Sequence, residues 1–280
     1  MDLYSEGDKF FTLRKEVKMN TTIGIQNEEK FCEQINNKTF DKLNTNLQYF
    51  MYYLFHHLDK KKKFNCFQTE NFIKPDICIS QENELRFVSL KYGQSETLHN
   101  ESIKTFVNFL KDNGISDETV ETYFLYHYGD GTIDGTGQHR LSSVEVRFKY
   151  DDRIKKMNEE FNNSKEFIKK FAERVMFQGV NPDANKAGFI YHGDPDYGVF
   201  VSRYQFMRHI ERKNWNYMET CVHIGPFVIR PHSRYANKEI RSEESRHLVV
   251  VNYPRFVQDL MYISSRYSYA FNPSKTQQFK

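Results

Sequence analysis

No run of apolar residues in the 280-residue chain approaches the length of a membrane span. The opening MDLYSEGDKFF has none of the apolar character of a secretory leader. Cysteine is scarce. Cys32, Cys66, Cys78 and Cys221 are scattered without a Cys-x-x-Cys pair, so neither a zinc knuckle nor a disulfide framework follows. Reduced, buried thiols in a soluble cytoplasmic protein are the expectation. Internal repeats and low-complexity tracts are missing too. The glycine-rich stretch 129–137, GDGTIDGTG, lacks a following Gly-Lys-Ser/Thr and the glycine spacing of a dinucleotide fingerprint, which leaves a flexible loop.

What is present suffices for a packed core: 39% of residues are hydrophobic and 16% aromatic. The length allows one large domain or two modest ones. Net charge is only +3, yet it is uneven, since Ser202 to Phe256 holds ten Lys and Arg against five Glu and no Asp. A basic C-terminal region suits a phosphate backbone, and equally an ordinary solvated face.

The most informative stretch runs from Lys74 to Glu101. Ile77–Ile79 and Leu85–Leu90 read as two strands around a polar turn at 81–84. Asp76 then stands at the mouth of the first strand. Ser89 and Lys91, two apart on the second, share a face. A carboxylate that holds a hard cation and an ammonium that orients water and offsets phosphate charge are what metal-assisted phosphodiester hydrolysis requires.

Upstream, Glu28, Phe31, Cys32 and Ile35 fall on one helical stripe over 27–36, with Asn27 as the cap. A carboxylate on an apolar face is costly unless it binds something, though a first-turn acid also complements the helix dipole. Glu29 and Glu33 are the fallback acids. Residues 44–58 read as a core helix, and Lys60–Lys63 as a solvated helix end or loop. After a turn at Tyr92-Gly93, Ile103, Phe106, Val107 and Leu110 form a second stripe that stops at Gly114, with His99 one turn ahead of it. Thr119–Tyr128 is rich in β-formers and is expected to be a strand. Residues 143–176 are helical. Residues 187–201 form a strand pair around a turn at 194–198, and Ser202 with Gln205 makes a capping box for the next helix. Strands over 221–230 and 247–252 flank a basic loop. Its Arg230, His232, Arg234, Lys238, Arg241 and Arg246 suit a groove-reading or phosphate-gripping role, or simply a charged surface.

Pro75-Asp76 followed by Ser89-Leu90-Lys91 resembles the PD-(D/E)XK nucleases, the superfamily of many type II restriction endonucleases, with Ser89 where that pattern has its second acid. The Lys-x-Gly…Ser…His-x-Glu run from Lys91 to Glu101 is similar to some restriction-enzyme-like sequences. The resemblance implies an α/β fold, a restriction-endonuclease-like mixed sheet flanked by helices, with a C-terminal α+β recognition region. The expected division is 1–150 for the nuclease core and 151–280 for a helical linker and DNA-recognition region. The implied activity is Mg²⁺-dependent cleavage of double-stranded DNA, with Mn²⁺ as an alternative and room for a homodimer. Asp76, Glu28 and the Leu90 carbonyl would hold the metal, Lys91 would position water, and Ser89, His99 and, further out, Glu101 complete the site. A nuclease fold that has lost catalysis and only binds DNA is the alternative, and a structural or regulatory protein a third.

Overall fold

The structure, a computed structural model, describes residues 24–69, 74–93, 97–215, 221–232 and 244–267. In chain order, helices α1 (24–35) and α2 (Thr45–Leu54) precede strands β1 (Asn65–Gln68), β2 (Ile77–Gln81) and β3 (Glu84–Lys91). Strand β4 (Thr97–Ser102) leads to helices α3 (Ile103–Asp112), α4 (Asp117–Tyr128), α5 (Ser143–Lys149), α6 (Asp151–Asn163) and α7 (Lys165–Glu173). Strands β5 (Phe189–Gly193) and β6 (Gly198–Ser202) and helix α8 (Arg203–Arg212) follow. The chain then forms β7 (His223–Ile224), β8 (Phe227–Pro231), β9 (Leu248–Asn252) and α9 (Phe256–Tyr267). Among the described residues, no helix is long and apolar enough to cross a membrane.

These elements make two compact units, each discontinuous in sequence. One gathers segments 26–96, 176–213 and the chain from 255; the other takes 97–175 and 214–254. The expected regions 1–150 and 151–280 do not coincide with these units.

The first unit is a mixed α/β layer structure, in line with the α/β class expected. Its sheet has the order β1-β2-β3-β5-β6, antiparallel throughout except for the parallel pair β3–β5. Parallel neighbours need a long crossover, and here the chain between them builds the other unit. Strand β2 is buried along its whole length. Ile77, Ile79, Val88, Leu90 and Tyr191 pack with Phe31 and Ile35 of α1 and Phe50 and Met51 of α2. Each large apolar side chain buried there contributes about 1.5–3 kcal/mol. The β2–β3 turn is two residues long, and Glu82 takes the positive φ (53°) that such a tight turn demands. Ser202 and Gln205 do form a capping box that opens α8, and α8 and α9 pack on β6 and on one another.

The second unit holds an antiparallel sheet of order β4-β9-β8-β7 and helices α3 to α7. Phe106, Tyr123, Phe171 and Phe227 are fully buried within it. Three expectations change here. Residues 119–128 are not a strand but part of α4. The Ser116 hydroxyl accepts from the Thr119 amide, Asp117 and Glu118 occupy the first turn, and Gly129 closes the helix in the left-handed region. Because α4 is buried nearly all round, no 3.6-residue stripe marks it, and β-propensity misleads. His99 and Glu101 lie on strand β4, paired to β9, rather than ahead of a helical stripe, since Ser102 caps α3 only at Ile103. The expected strand over 221–230 is a hairpin folded at Gly225, whose φ is 55°.

Candidate functional site

The hairpin places the motif residues. Ile77 pairs with Val88 across β2 and β3, and the Asp76 amide donates to the Val88 carbonyl, so Asp76 stands level with Ser89. Asp76 Oδ2 accepts from the Ser89 hydroxyl at 3.0 Å and from the Leu90 amide at 2.6 Å. Lys91 Nζ lies 3.5 Å from the same oxygen, with 16% of its side chain and 17% of that of Asp76 exposed. Both groups are therefore largely desolvated yet reachable. Among the described residues, none of these contacts falls on Asp76 Oδ1, which leaves that oxygen for a further partner.

Helix α1 supplies the second acid. Its inner stripe, Phe31, Cys32 and Ile35, is buried and brings Glu28, half-buried, within electrostatic reach of Asp76 and Lys91, whereas Glu29 and Glu33 are exposed. Glu28 Oε2 accepts from Gln68 Nε2 at 3.2 Å. Burial, and then the charge of Asp76, push the Glu28 carboxyl up to about 7, against the pull of Gln68 and Lys91. Two carboxyls, one of them raised by burial and by the charge of the other, beside a lysine are a donor set suited to a hard cation. The Leu90 amide anchors Asp76, and the Leu90 carbonyl remains a proposed ligand. Gathered groups of three or more His, Cys, Asp or Glu are absent among the described residues, so such an ion would rest on two carboxylates plus carbonyl and water oxygens.

Sequence reasoning missed four residues here. Gln68 reaches Glu28 from β1. The Tyr92 hydroxyl donates to the Asn27 carbonyl at 2.9 Å, tying the end of β3 to α1, and burial pushes that hydroxyl's pKa up. Burial and then the charge of Lys91 push the Lys74 amine well below the usual lysine range, which lessens repulsion between the two. His192 pairs in parallel register with Lys91 across β3–β5, so both project to one face, and its Nε2 lies 3.0 Å from the Gly93 carbonyl. Parallel register across a long crossover leaves no local signal; only the Tyr92-Gly93 turn could have hinted at its counterpart.

The remaining candidates are in the second unit. His99 Nε2 lies 3.3 Å from Glu101 Oε1, and Arg174 grips Glu101 through Nε at 3.2 Å and Nη2 at 2.5 Å. Hydrogen bonds from His99 and Arg174 outweigh burial and hold the Glu101 carboxyl below its usual range. Both residues are thus committed to a buried ion-paired cluster. Arg246 is buried as well, donating to Asp130 Oδ2 at 2.6 Å and to the Gly137 carbonyl at 2.8 Å, so it is not an exposed phosphate grip. Arg230 and His232 are exposed at the end of β8. Arg234, Lys238 and Arg241 lie outside the described residues.

No family model matches the chain, and no curated protein matches its sequence.

Proposed function

We propose that the chain is a metal-dependent endonuclease acting on double-stranded DNA, with a restriction-endonuclease-like core in the mixed-sheet unit. The observation that carries this reading is the Asp76–Lys91 pair on adjacent strands, 3.5 Å apart, with Glu28 brought into electrostatic contact with both. A bound Mg²⁺ or Mn²⁺ would supply Lewis acidity and offset phosphate charge. Asp76, fixed by Ser89 and Leu90, presents its second oxygen, and Glu28 adds a carboxylate that ionises fully when a cation replaces its proton. Lys91 holds the attacking water beside Asp76 and counters the charge that builds on phosphorus oxygens.

Purified protein incubated with mixed-sequence DNA and Mg²⁺ or Mn²⁺ is expected to cut it. Asp76→Asn and Lys91→Met should abolish cleavage, and Glu28→Gln should do so while keeping DNA affinity. Cleavage at the parental rate by Glu28→Gln removes that residue from the site; undiminished cleavage by Asp76→Asn overturns the assignment.

One observation favours the alternative, a nuclease fold that binds DNA without cutting it. Ser89 stands where the second acid of the motif would be, is fully buried, and spends its hydroxyl on Asp76. A salt-dependent mobility shift with no cleavage in either metal would select this reading.

A further inference from the structure

A cavity of about 400 Å³ opens in the antiparallel-sheet unit, which does not contain Asp76. Ile103 and Val107 of α3 and Phe124 and Tyr128 of α4 form its apolar wall, with Ile133 from the glycine-rich loop. The Phe124 and Tyr128 rings are parallel to within 1°, with centroids 6.2 Å apart. Around this wall stand Lys104, Asn108, Asp134 and His247. Pockets of this size, apolar with a few polar groups at the edge, are the usual form of a small-ligand site.

The wall is preformed. Arg246 pins both ends of the glycine-rich loop through Asp130 and Gly137, and Asp130 Oδ1 accepts from the Thr132 amide at 2.9 Å. Arg140 Nε donates to the Tyr128 carbonyl at 2.7 Å. Gly135, at φ +79°, lies so close to the Tyr128 ring that a Cβ there would come within 2.7 Å of it. The Tyr128 hydroxyl, its pKa pushed up first by burial, is 2.9 Å from His247 Nδ1, and the two rings meet edge to face. The glycines therefore let the loop close down on Tyr128, a role quite different from cradling phosphate in a Gly-Lys-Ser/Thr motif.

We infer that this cavity binds a single nucleobase together with its phosphate. A flat heterocycle matches the aromatic and aliphatic wall, since base–aromatic stacking is sequence-tolerant and favourable. The Asn108 amide and the Asp134 carboxylate offer the mixed donor and acceptor groups that a base edge or sugar hydroxyl needs. Lys104 offers a cation to the phosphate. An aliphatic ligand would leave that polar rim unmatched, and an inorganic anion would leave the wall bare. The ligand has two sources: a free mononucleotide, or a nucleotide swung out of a duplex. The inference rests on the cavity alone and does not depend on cleavage at Asp76.

Calorimetric titration of the full chain with the four deoxynucleoside monophosphates tests it. At least one should bind saturably, and Lys104→Glu should weaken it roughly tenfold, the loss expected for a charge-assisted phosphate contact. Ile133→Asp should weaken it too. Both positions are exposed, so neither change threatens the core, and an unchanged unfolding midpoint verifies that. Displacement of the bound mononucleotide by a duplex with one unpaired base, and not by a fully paired duplex, assigns the extruded base; no displacement by either assigns the free nucleotide. Absence of saturable binding by any of the four, or equal affinity in both variants and the parent, overturns the inference. Retention of this binding in Asp76→Asn keeps the result separate from that on the nuclease.

Discussion

The Glu28 carboxyl is pushed up to about 7 because α1 buries it and, second, brings it near the charge of Asp76, and this gives stability a definite pH dependence. In the folded chain its carboxyl holds its proton to about pH 7, against 4.5 for an ordinary glutamate. The folded state therefore binds more protons than the unfolded state between those values, so unfolding free energy falls as pH rises through that window. The contribution is fully present below pH 4.5 and lost above 7. The two values lie about 2.5 pH units apart and each unit is worth about 1.4 kcal/mol, which sets a ceiling of about 3.5 kcal/mol. Glu28 is half-buried, so solvent screening reduces this to about 1–2 kcal/mol. Glu28→Gln keeps a carbonyl oxygen for the Gln68 amide and cannot ionise. Urea unfolding of parent and variant at pH 5 and pH 8 should show the variant gaining about 1–2 kcal/mol on the parent between the two. Any constant cost of the substitution cancels in that difference. An equal difference between parent and variant at both pH values, or a parent that gains on the variant toward pH 8, would refute the picture of a Glu28 desolvated beside Asp76.

Mg²⁺ binding at pH 6.5 should release protons from Glu28, read as a buffer-dependent calorimetric enthalpy, and Glu28→Gln should remove that dependence; the same slope in the variant points to another group. Ser89→Asp, which puts a carboxylate against Asp76 in a fully buried position, should lower stability by about 1–3 kcal/mol without metal and raise Mg²⁺ affinity; denaturation with and without Mg²⁺ checks it, and equal stability in both conditions counts against a shared cation. Gly135→Ala should cost about 1–3 kcal/mol because it needs both a positive φ and room inside the Tyr128 ring; a neutral effect in thermal unfolding would mean that the loop does not rest on Tyr128.

Local chemistry alone was enough for the hairpin that carries Asp76, Ser89 and Lys91, because strand alternation and a polar turn fix register over a few residues. The α1 stripe that turns Glu28 inward, the α3 stripe and the Ser202–Gln205 capping box are equally local, since each rests on neighbours three or four apart. Tertiary structure decided the rest. Helix α4 escaped because burial on all sides erases the periodicity that marks a surface helix. His99 and Glu101 were placed by pairing of β4 with β9, and Glu101 by Arg174, partners far along the chain. Arg246 looked like a surface cation until Asp130 and Gly137 closed around it. His192 comes level with Lys91 only through a parallel pairing whose connection passes through a whole second unit. A sequence displays spacing of a few residues directly, whereas contacts between distant segments depend on how buried faces are matched, and one chain read alone carries no mark of that.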